Sequence, residues 1–273
     1  MHRSYLFVPA NRPDRYAKAC ATRAHAIIVD LEDAVAAHDK VSARTSLAAW
    51  LAHAPRPVLV RINAADTEWF EDDLRICVGD NVAGLLVPKC ERVEELRRIA
   101  AGCAEVPLHP LIETARGLWN ALSVAQAPGV RSLMFGSLDF QADVGTSDDE
   151  LLYARSQLVV VSRVAEIEPP IDGVTQAIDD EEALRRDARR SRALGFAGKA
   201  CIHPKQVDIV NECFAPSADD VRWAEAVVDA FTKAAGSAVL VDGRMVDRPV
   251  LLKAQAILAD RPSRQVEHEP PSR

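Results

Sequence analysis

Short apolar runs recur down the chain at 5–8, 26–29, 58–62, 83–87, 107–112, 132–135, 168–171 and 197–202. Stretches with helical spacing of apolar residues lie between them, clearest at 14–20, 42–51, 92–101, 150–165 and 181–194. Runs this brief predict buried strands, and an apolar residue every three or four positions predicts the inward face of a helix. Strict alternation of the two predicts parallel strands joined by crossover helices. About eight repeats within roughly 200 residues favour a closed (β/α)8 TIM barrel. An open doubly wound sheet is the competitor, but no G-x-G-x-x-G follows any of the runs.

The rhythm changes after the eighth run. A long helix is predicted over 218–235, then a glycine-containing break with a short apolar run (SAVLVDGRM), then a helix led by Pro249 to about Leu258. The predicted organisation is a catalytic barrel over 1–215, a C-terminal helix and lid segment over 216–260, and a polar, proline-rich tail over 261–273 that should be loose.

Composition narrows the function classes. The chain has 273 residues, 48% hydrophobic and 27% charged, the balance of an ordinary globular protein. A net charge of −7 argues against a general nucleic-acid binder, which carries a basic face. No run approaches a membrane span, and the apolar stretch at the amino terminus is too short for a signal peptide, so a cytoplasmic protein is expected. Six cysteines lack any C-x-x-C pair and seven histidines lack any H-x-H or H-E-x-x-H grouping. Reduced, mostly buried thiols are expected, and any metal should be held by oxygen.

Polar residues fall where the apolar runs end. Val29 gives way to Asp30, Glu32 and Asp33; Val60 to Arg61 and Asn63; Val87 to Lys89; Ile112 to Glu113 and Arg116; Phe135 to Gly136, Ser137 and Asp139; Ile202 to His203. These are carboxyl ends of strands, the rim where barrels of this type place their sites. Carboxylates crowded at one rim raise each other's pKa until a proton or a cation arrives. Glu113 and Asp139 come from adjacent strand ends and can reach one ion, while Glu32 and Asp33 can hold its waters from across the mouth. Few direct carboxylates with retained waters is the habit of Mg2+. Either acid taken alone could instead cap the helix that follows it.

Arg61 sits within an apolar run, where it either pairs with a rim acid or binds a carboxylate or thioester oxygen; the two roles are compatible. Lys89 reads equally as a partner of the carboxylates or as a Schiff-base lysine. His203-Pro204 can simply turn the chain. Arg12, Arg15 and Lys18 form either the charged face of an exposed helix or a phosphate clamp. The run Asp179 to Glu182 followed by Arg185, Arg186, Arg189, Arg190 and Arg192 is explained by the helix dipole alone.

The stretches RSYLFVPA from Arg3, VDLEDAV from Val29, VRIN from Val60, VPK from Val87, LIETARG from Leu111, FGSLDF from Phe135, GKACIHP from Gly198 and MVDRPV from Met245 resemble the citrate lyase β-subunit-like proteins within the HpcH/HpaI aldolase group. The motifs occur in the family's order, from Arg3 to about Leu258. The resemblance implies Mg2+ held by Glu113 and Asp139 and substrate bound by Arg61. It also implies CoA or acyl contacts at Phe7, Lys18, Ile202 and His203. Phe7 stands where relatives often carry tyrosine, so one hydroxyl contact is missing. The resemblance further implies that Asp247 of the M-V-D-x-P motif is the catalytic base, on a lid that can come from a neighbouring subunit of a homo-oligomer, a trimer or larger. An Asp closely followed by Pro before a helix is also what an N-cap looks like.

The activity expected is a Mg2+-dependent retro-Claisen cleavage of a 3-hydroxyacyl-CoA, such as citramalyl-CoA, malyl-CoA or citryl-CoA, to acetyl-CoA and a 2-oxo acid. The alternatives are an acyl-CoA thioesterase using the same site, an aldolase acting on free acids, and a subunit or inactive scaffold working only with an acyl-carrier-protein thioester complex.

Overall fold

The computed structural model describes residues 2–103, 105–147, 151–234 and 236–261. It divides into two compact units, one ending at Phe214 and one beginning at Ala215. Of the tail expected to be loose over 261–273, Arg261 is described and pairs with Glu225 at 3.0 Å, and 262–273 lie outside the described residues.

In the first unit eight parallel strands close into a barrel in chain order: β1 Ser4–Pro9, β2 Ala26–Asp30, β3 Val58–Arg61, β4 Val82–Val87, β5 Leu108–Ile112, β6 Met134–Phe135, β7 Ile171–Asp172 and β8 Gly198–Cys201. Closure is made by β1 against β8, with Leu6 opposite Cys201. The surrounding helices are α1 Tyr16–Cys20, α2 Lys40–Leu51, α3 Phe70–Ile76, α4 Val93–Gly102, α5 Ala115–Trp119, α6 Ala121–Ala125, α7 Ser137–Val144, α8 Leu152–Val164, α9 Glu181–Leu194 and α10 Lys205–Phe214. The predicted (β/α)8 barrel is the observed fold.

Strand periodicity sorts the side chains. Tyr5, Ala26, Ile28, Leu59, Leu86, Leu111, Met134 and Ile171 form a buried cluster drawn from strands alone, which is the plug inside the barrel. A larger cluster joins the alternate strand positions, such as Leu6, Ile27, Val60 and Leu85, to helix residues such as Leu47, Leu96 and Leu158. Because side chains of a strand alternate faces, the next inward positions above the plug are Phe7, Asp30, Arg61, Glu113, Gly136 and Gly173. The apolar plug therefore ends in a polar layer at the carboxyl rim.

The strand expected at 168–171 instead occupies Ile171–Asp172. Pro169 and Pro170 carry no N–H for the ladder, which shortens this strand from its amino end. Likewise β6 is only Met134–Phe135 rather than the whole of 132–135. Helices α3, α5, α6, α7 and α10 are absent from the clear periodic stretches of the sequence; all are of ten residues or fewer, too short to display a repeating apolar face. Five of the cysteines are buried, Cys20 is partly exposed, and all are free.

The second unit holds α11 Ala218–Lys233, the antiparallel hairpin β9 Val239–Val241 with β10 Arg244–Val246, and α12 Arg248–Ala259. Ser217 and Asp220 form a reciprocal capping box at the start of α11. Ala224, Val227, Val246 and Ala254 make this unit's own small core. Among the described residues no helix is long and apolar enough to cross a membrane.

Candidate active site

A cavity of about 420 Å³ opens at the carboxyl ends of the barrel strands, lined by Phe7, Asp30, Asp33, Arg61, Glu113 and Asp139 among others. Its floor is the top of the plug, Leu111 and Met134, and its far wall is Gly173, Val174, Ala200 and Ile202.

Asp30 and Arg61 are register partners on β2 and β3. Arg61 Nε and Nη2 donate to the two carboxylate oxygens of Asp30 at 2.7 and 2.6 Å. Its Nη1 lies 2.9 Å from Glu32 Oε2 and 3.8 Å from Asp33 Oδ2. The guanidinium also covers the Phe7 ring at 5.1 Å from the centroid. Burial works against this charge, but Asp30, Glu32 and Asp33 outweigh it and raise the Arg61 pKa, so the group is a permanent cation. Of the two sequence readings of Arg61, the ion pair is realised, and its place in the cavity lining leaves the ligand-binding role standing beside it.

Glu32 and Asp33 part company. Asp33 lines the cavity and is well exposed, whereas the buried Glu32 carboxylate is flanked by Arg61 and by Lys89 Nζ at 3.2 Å. Burial raises the Glu32 pKa against the pull of Arg61. Lys89 is thereby settled as a partner of the acids: Glu32 raises its pKa in spite of burial, the reverse of what a Schiff-base amine needs.

Glu113 closes β5 and is 2% exposed. Its Oε1 accepts from the Lys89 backbone N–H at 2.6 Å. Burial, then Glu32, push its carboxyl up to about 8, with Asp139 adding to the rise. An ideal Cβ on Gly136 would stand 2.6 Å from Glu113 Oε2, so only glycine lets β6 end against that carboxylate. Neither acid caps a helix. Thr114 accepts from Gly117 N–H at the start of α5, and α7 begins at Gly136 without a side-chain cap. Asp139 is exposed to the cavity and makes no hydrogen bond or ion pair among the described residues.

This donor set fits a hard divalent cation. Two hard oxygen donors face one cavity, Glu113 destabilised as an anion by burial and then by Glu32, and Asp139 without a hydrogen bond or ion pair among the described residues. Among the described residues no group of three or more His, Cys, Asp or Glu is arranged to hold an ion. Two carboxylates with the remaining positions left to water or substrate is the Mg2+ pattern rather than the Zn2+ or Ca2+ one.

Ile202 lines the cavity. His203 does not; its Nδ1 accepts from the Lys205 N–H at 3.2 Å at the start of α10, the turn-forming role the sequence allowed. Lys18 is exposed on α1, and its neighbour Arg12 pairs with Asp14 at 2.9 Å. Asp247 lies in the second unit, where its carboxylate accepts from the Val250 N–H at 3.3 Å as the N-cap of α12.

The sequence assigned no particular role to two residues that shape the mouth, Asp30 in the cavity lining and Lys40 behind it. Asp30, the last residue of β2, is one of three acids at that strand end, and only register shows that it, rather than Glu32, forms the fork with Arg61. Lys40 is buried on α2, where its Nζ donates to the carbonyls of Leu31 and Glu32 at 2.8 Å each and to Asn63 Oδ1 at 2.6 Å. It holds the acidic loop in place from behind. A lysine opening a helix gives no sequence signal for this.

Fold and mouth together define a class: a (β/α)8-barrel protein with an acidic pocket at the strand carboxyl ends, partly neutralised by one arginine. Residues 3–204 match the family model described as HpcH/HpaI aldolase/citrate lyase, and the chain belongs to that family. It is 38% identical to a citrate lyase subunit beta-like protein of Deinococcus radiodurans, across 94% of this chain and 96% of that one. It is 35% identical to a (3S)-malyl-CoA thioesterase of Cereibacter sphaeroides, across 96% and 97%. Among solved structures, the protein CitE from Mycobacterium tuberculosis, in complex with magnesium, acetoacetate and coenzyme A, superposes with a TM-score of 0.83 at 32% identity, covering 95% of this chain and 97% of that one.

Proposed function

We propose that this protein is a Mg2+-dependent carbon–carbon lyase that splits a 3-hydroxyacyl-CoA, such as citramalyl-CoA, malyl-CoA or citryl-CoA, into acetyl-CoA and a 2-oxo acid. The observation that carries this is the pairing of Glu113, whose carboxyl is pushed up to about 8, with the unpartnered Asp139 in one cavity beside Arg61. Magnesium at these two carboxylates would lower the pKa of the substrate hydroxyl and orient the bond to be broken.

The chain's own groups supply the rest. Glu113 and Asp139 are the two carboxylates that would hold the ion, and they place the hydroxy-acid end of the substrate at this side of the cavity. Arg61 has five N–H donors, of which two are hydrogen-bonded to Asp30, while its Nη1 forms an ion pair with Glu32. The donors not bonded to Asp30 serve the thioester oxygen as charge builds on it. Cleavage moves the electrons of the carbon–carbon bond onto the thioester as an enolate. The hydroxyl loses a proton and the CH2 carbon gains one, and Asp247 is the group assigned to that carbon. Phe7, Lys18, Ile202 and His203 are assigned to the CoA and acyl portions, and a homo-oligomer supplies the lid.

Full-length similarity to (3S)-malyl-CoA thioesterases at 35% identity favours one second reading, in which the same site hydrolyses the thioester. Incubation with Mg2+ and a panel of hydroxyacyl-CoA esters, followed by mass spectrometry, separates the two. Acetyl-CoA with a 2-oxo acid is the expected product; free CoA with a hydroxy acid replaces the lyase by the thioesterase. No product from any ester, with Mg2+ present, overturns both.

A further inference from the structure

One polar group in the cavity has no role in the chemistry above. Ser137, the first residue of α7, lines the cavity and is only 2% exposed. Its hydroxyl makes no hydrogen bond among the described residues. A hydroxyl offers one donor and two acceptor sites, and buried polar side chains are in the large majority partnered. One left open on a cavity is available to whatever fills that cavity.

The wall facing it is built to keep that space clear. An ideal Cβ on Gly173 would stand 2.5 Å from Ser137 Oγ and 2.8 Å from the Phe135 carbonyl oxygen, so no side chain fits there. The polar groups of Gly173 are engaged elsewhere. Its N–H donates to Asp172 Oδ1 at 2.9 Å, and its carbonyl accepts from Lys199 Nζ at 2.7 Å. Asp172, fully buried, is gripped in turn by Arg155 Nε at 3.1 and 3.2 Å and by the Ser191 hydroxyl. A buried ionic network of this kind is costly, and its best-attested return is a fixed geometry. Here it pins one glycine of the cavity wall, beside a Ser137 hydroxyl that makes no hydrogen bond among the described residues.

We propose that Ser137 is a substrate-binding residue whose hydroxyl donates a hydrogen bond to an oxygen of the hydroxy-acid half of the thioester, in space kept open by Gly173. The position selects that half. Ser137 follows Gly136, which abuts the Glu113 carboxylate, and precedes Asp139 by two residues. It therefore lines the same cavity as the two acids assigned to the oxygen-rich end of the ligand, on the segment that carries one of them, and not a surface facing the neutral pantetheine arm. The inference rests on the reading of the mouth as a CoA-ester site.

The test measures binding to the full-length chain by calorimetry, with pyruvate as a 2-oxo acid, Mg2+ alone, and CoA alone. Ser137→Ala removes only the hydroxyl. It should weaken pyruvate binding in the presence of Mg2+ by about tenfold, with affinities for Mg2+ and CoA unchanged. For the acyl-CoA substrate the loss should appear in KM more than in kcat. Gly173→Ala should weaken pyruvate binding with Mg2+ affinity retained. If wild type binds pyruvate and Ser137→Ala binds it equally well, Ser137 is not a substrate contact, while the lyase reading survives. Parallel losses for Mg2+ and CoA would reduce Ser137 to a structural residue. Wild-type protein that binds Mg2+ but neither pyruvate nor any CoA ester removes the parent reading and this inference with it.

Discussion

The backbone N–H of Lys89 donates to Glu113 Oε1 at 2.6 Å, and Lys89 adopts a left-handed conformation, φ 48°, to do so. A non-glycine residue rarely takes that conformation without support from its surroundings. The turn after β4 thus spends local backbone strain on aiming one hydrogen bond at the carboxylate that ends β5, while the lysine side chain reaches Glu32. One residue serves two acids of the mouth by two different groups.

Glu113→Gln and Asp139→Asn should each abolish measurable Mg2+ binding in calorimetry and lower kcat by at least about a hundredfold, since each removes a charged donor of a two-carboxylate site. Both variants should keep the wild-type circular dichroism spectrum. Full activity in excess EDTA would sink the metal assignment.

Stability of the metal-free protein should depend on pH through Glu113. Its carboxyl is pushed up to about 8 in the folded chain from an ordinary value of 4.5, so between those values the folded state holds a proton that the unfolded state releases. Stability from this group therefore falls as pH rises, on the order of 1 kcal/mol per pH unit. His109, lowered to about 4 by burial, acts in the opposite sense below its ordinary value of 6.5. The clean window is thus about pH 6.5 to 8, read as the difference between wild type and Glu113→Gln in urea melts. Parallel curves for the two proteins would refute the shift.

Arg61→Ala should damage both fold and function. It strands the buried carboxylates of Asp30 and Glu32, and breaking a buried pair from one side costs roughly 3–5 kcal/mol. Arg61→Lys restores one charge but not the fork, so it should recover part of the stability and little of the turnover. Equal thermal stability for wild type and Arg61→Ala would show that the acids are solvated or protonated instead.

Asp247 can be divided into its two roles. Asn is as good an N-cap as Asp, so Asp247→Asn should leave the melting temperature unchanged yet cut kcat by about 10² or more if the carboxylate moves a proton. Asp247→Ala should additionally lose about 1 kcal/mol of stability. Wild-type turnover in Asp247→Asn would leave this residue as a cap and nothing more.

The barrel was legible because its strands are nearly continuous apolar runs and the longer helices between them repeat an apolar face. The run at 168–171 misled only where two prolines remove ladder donors and push the strand to Ile171–Asp172. Short helices such as α7, Ser137–Val144, escaped because eight residues are barely two turns. Within the mouth, Glu113, Asp139 and Arg61 were recognisable as polar residues ending apolar runs. Lys40 was not, because a lysine on a helix has an ordinary explanation; Ser137 stood at the end of such a run, but nothing in the sequence signals that its hydroxyl lacks a hydrogen bond among the described residues.

The order of apolar and polar residues along the chain was enough by itself to determine the parallel barrel, the rim that carries charge and the oxygen character of its donors, since these follow from strand length, side-chain alternation and residue chemistry. Tertiary structure alone decided which acid forms the fork with Arg61, that Glu113 is buried while Asp139 stays open, and that Ser137 faces Gly173 without a hydrogen bond among the described residues. Those outcomes depend on the register between strands and on distances between residues remote in sequence, and burial and electrostatic coupling change over a few ångströms that no linear pattern encodes.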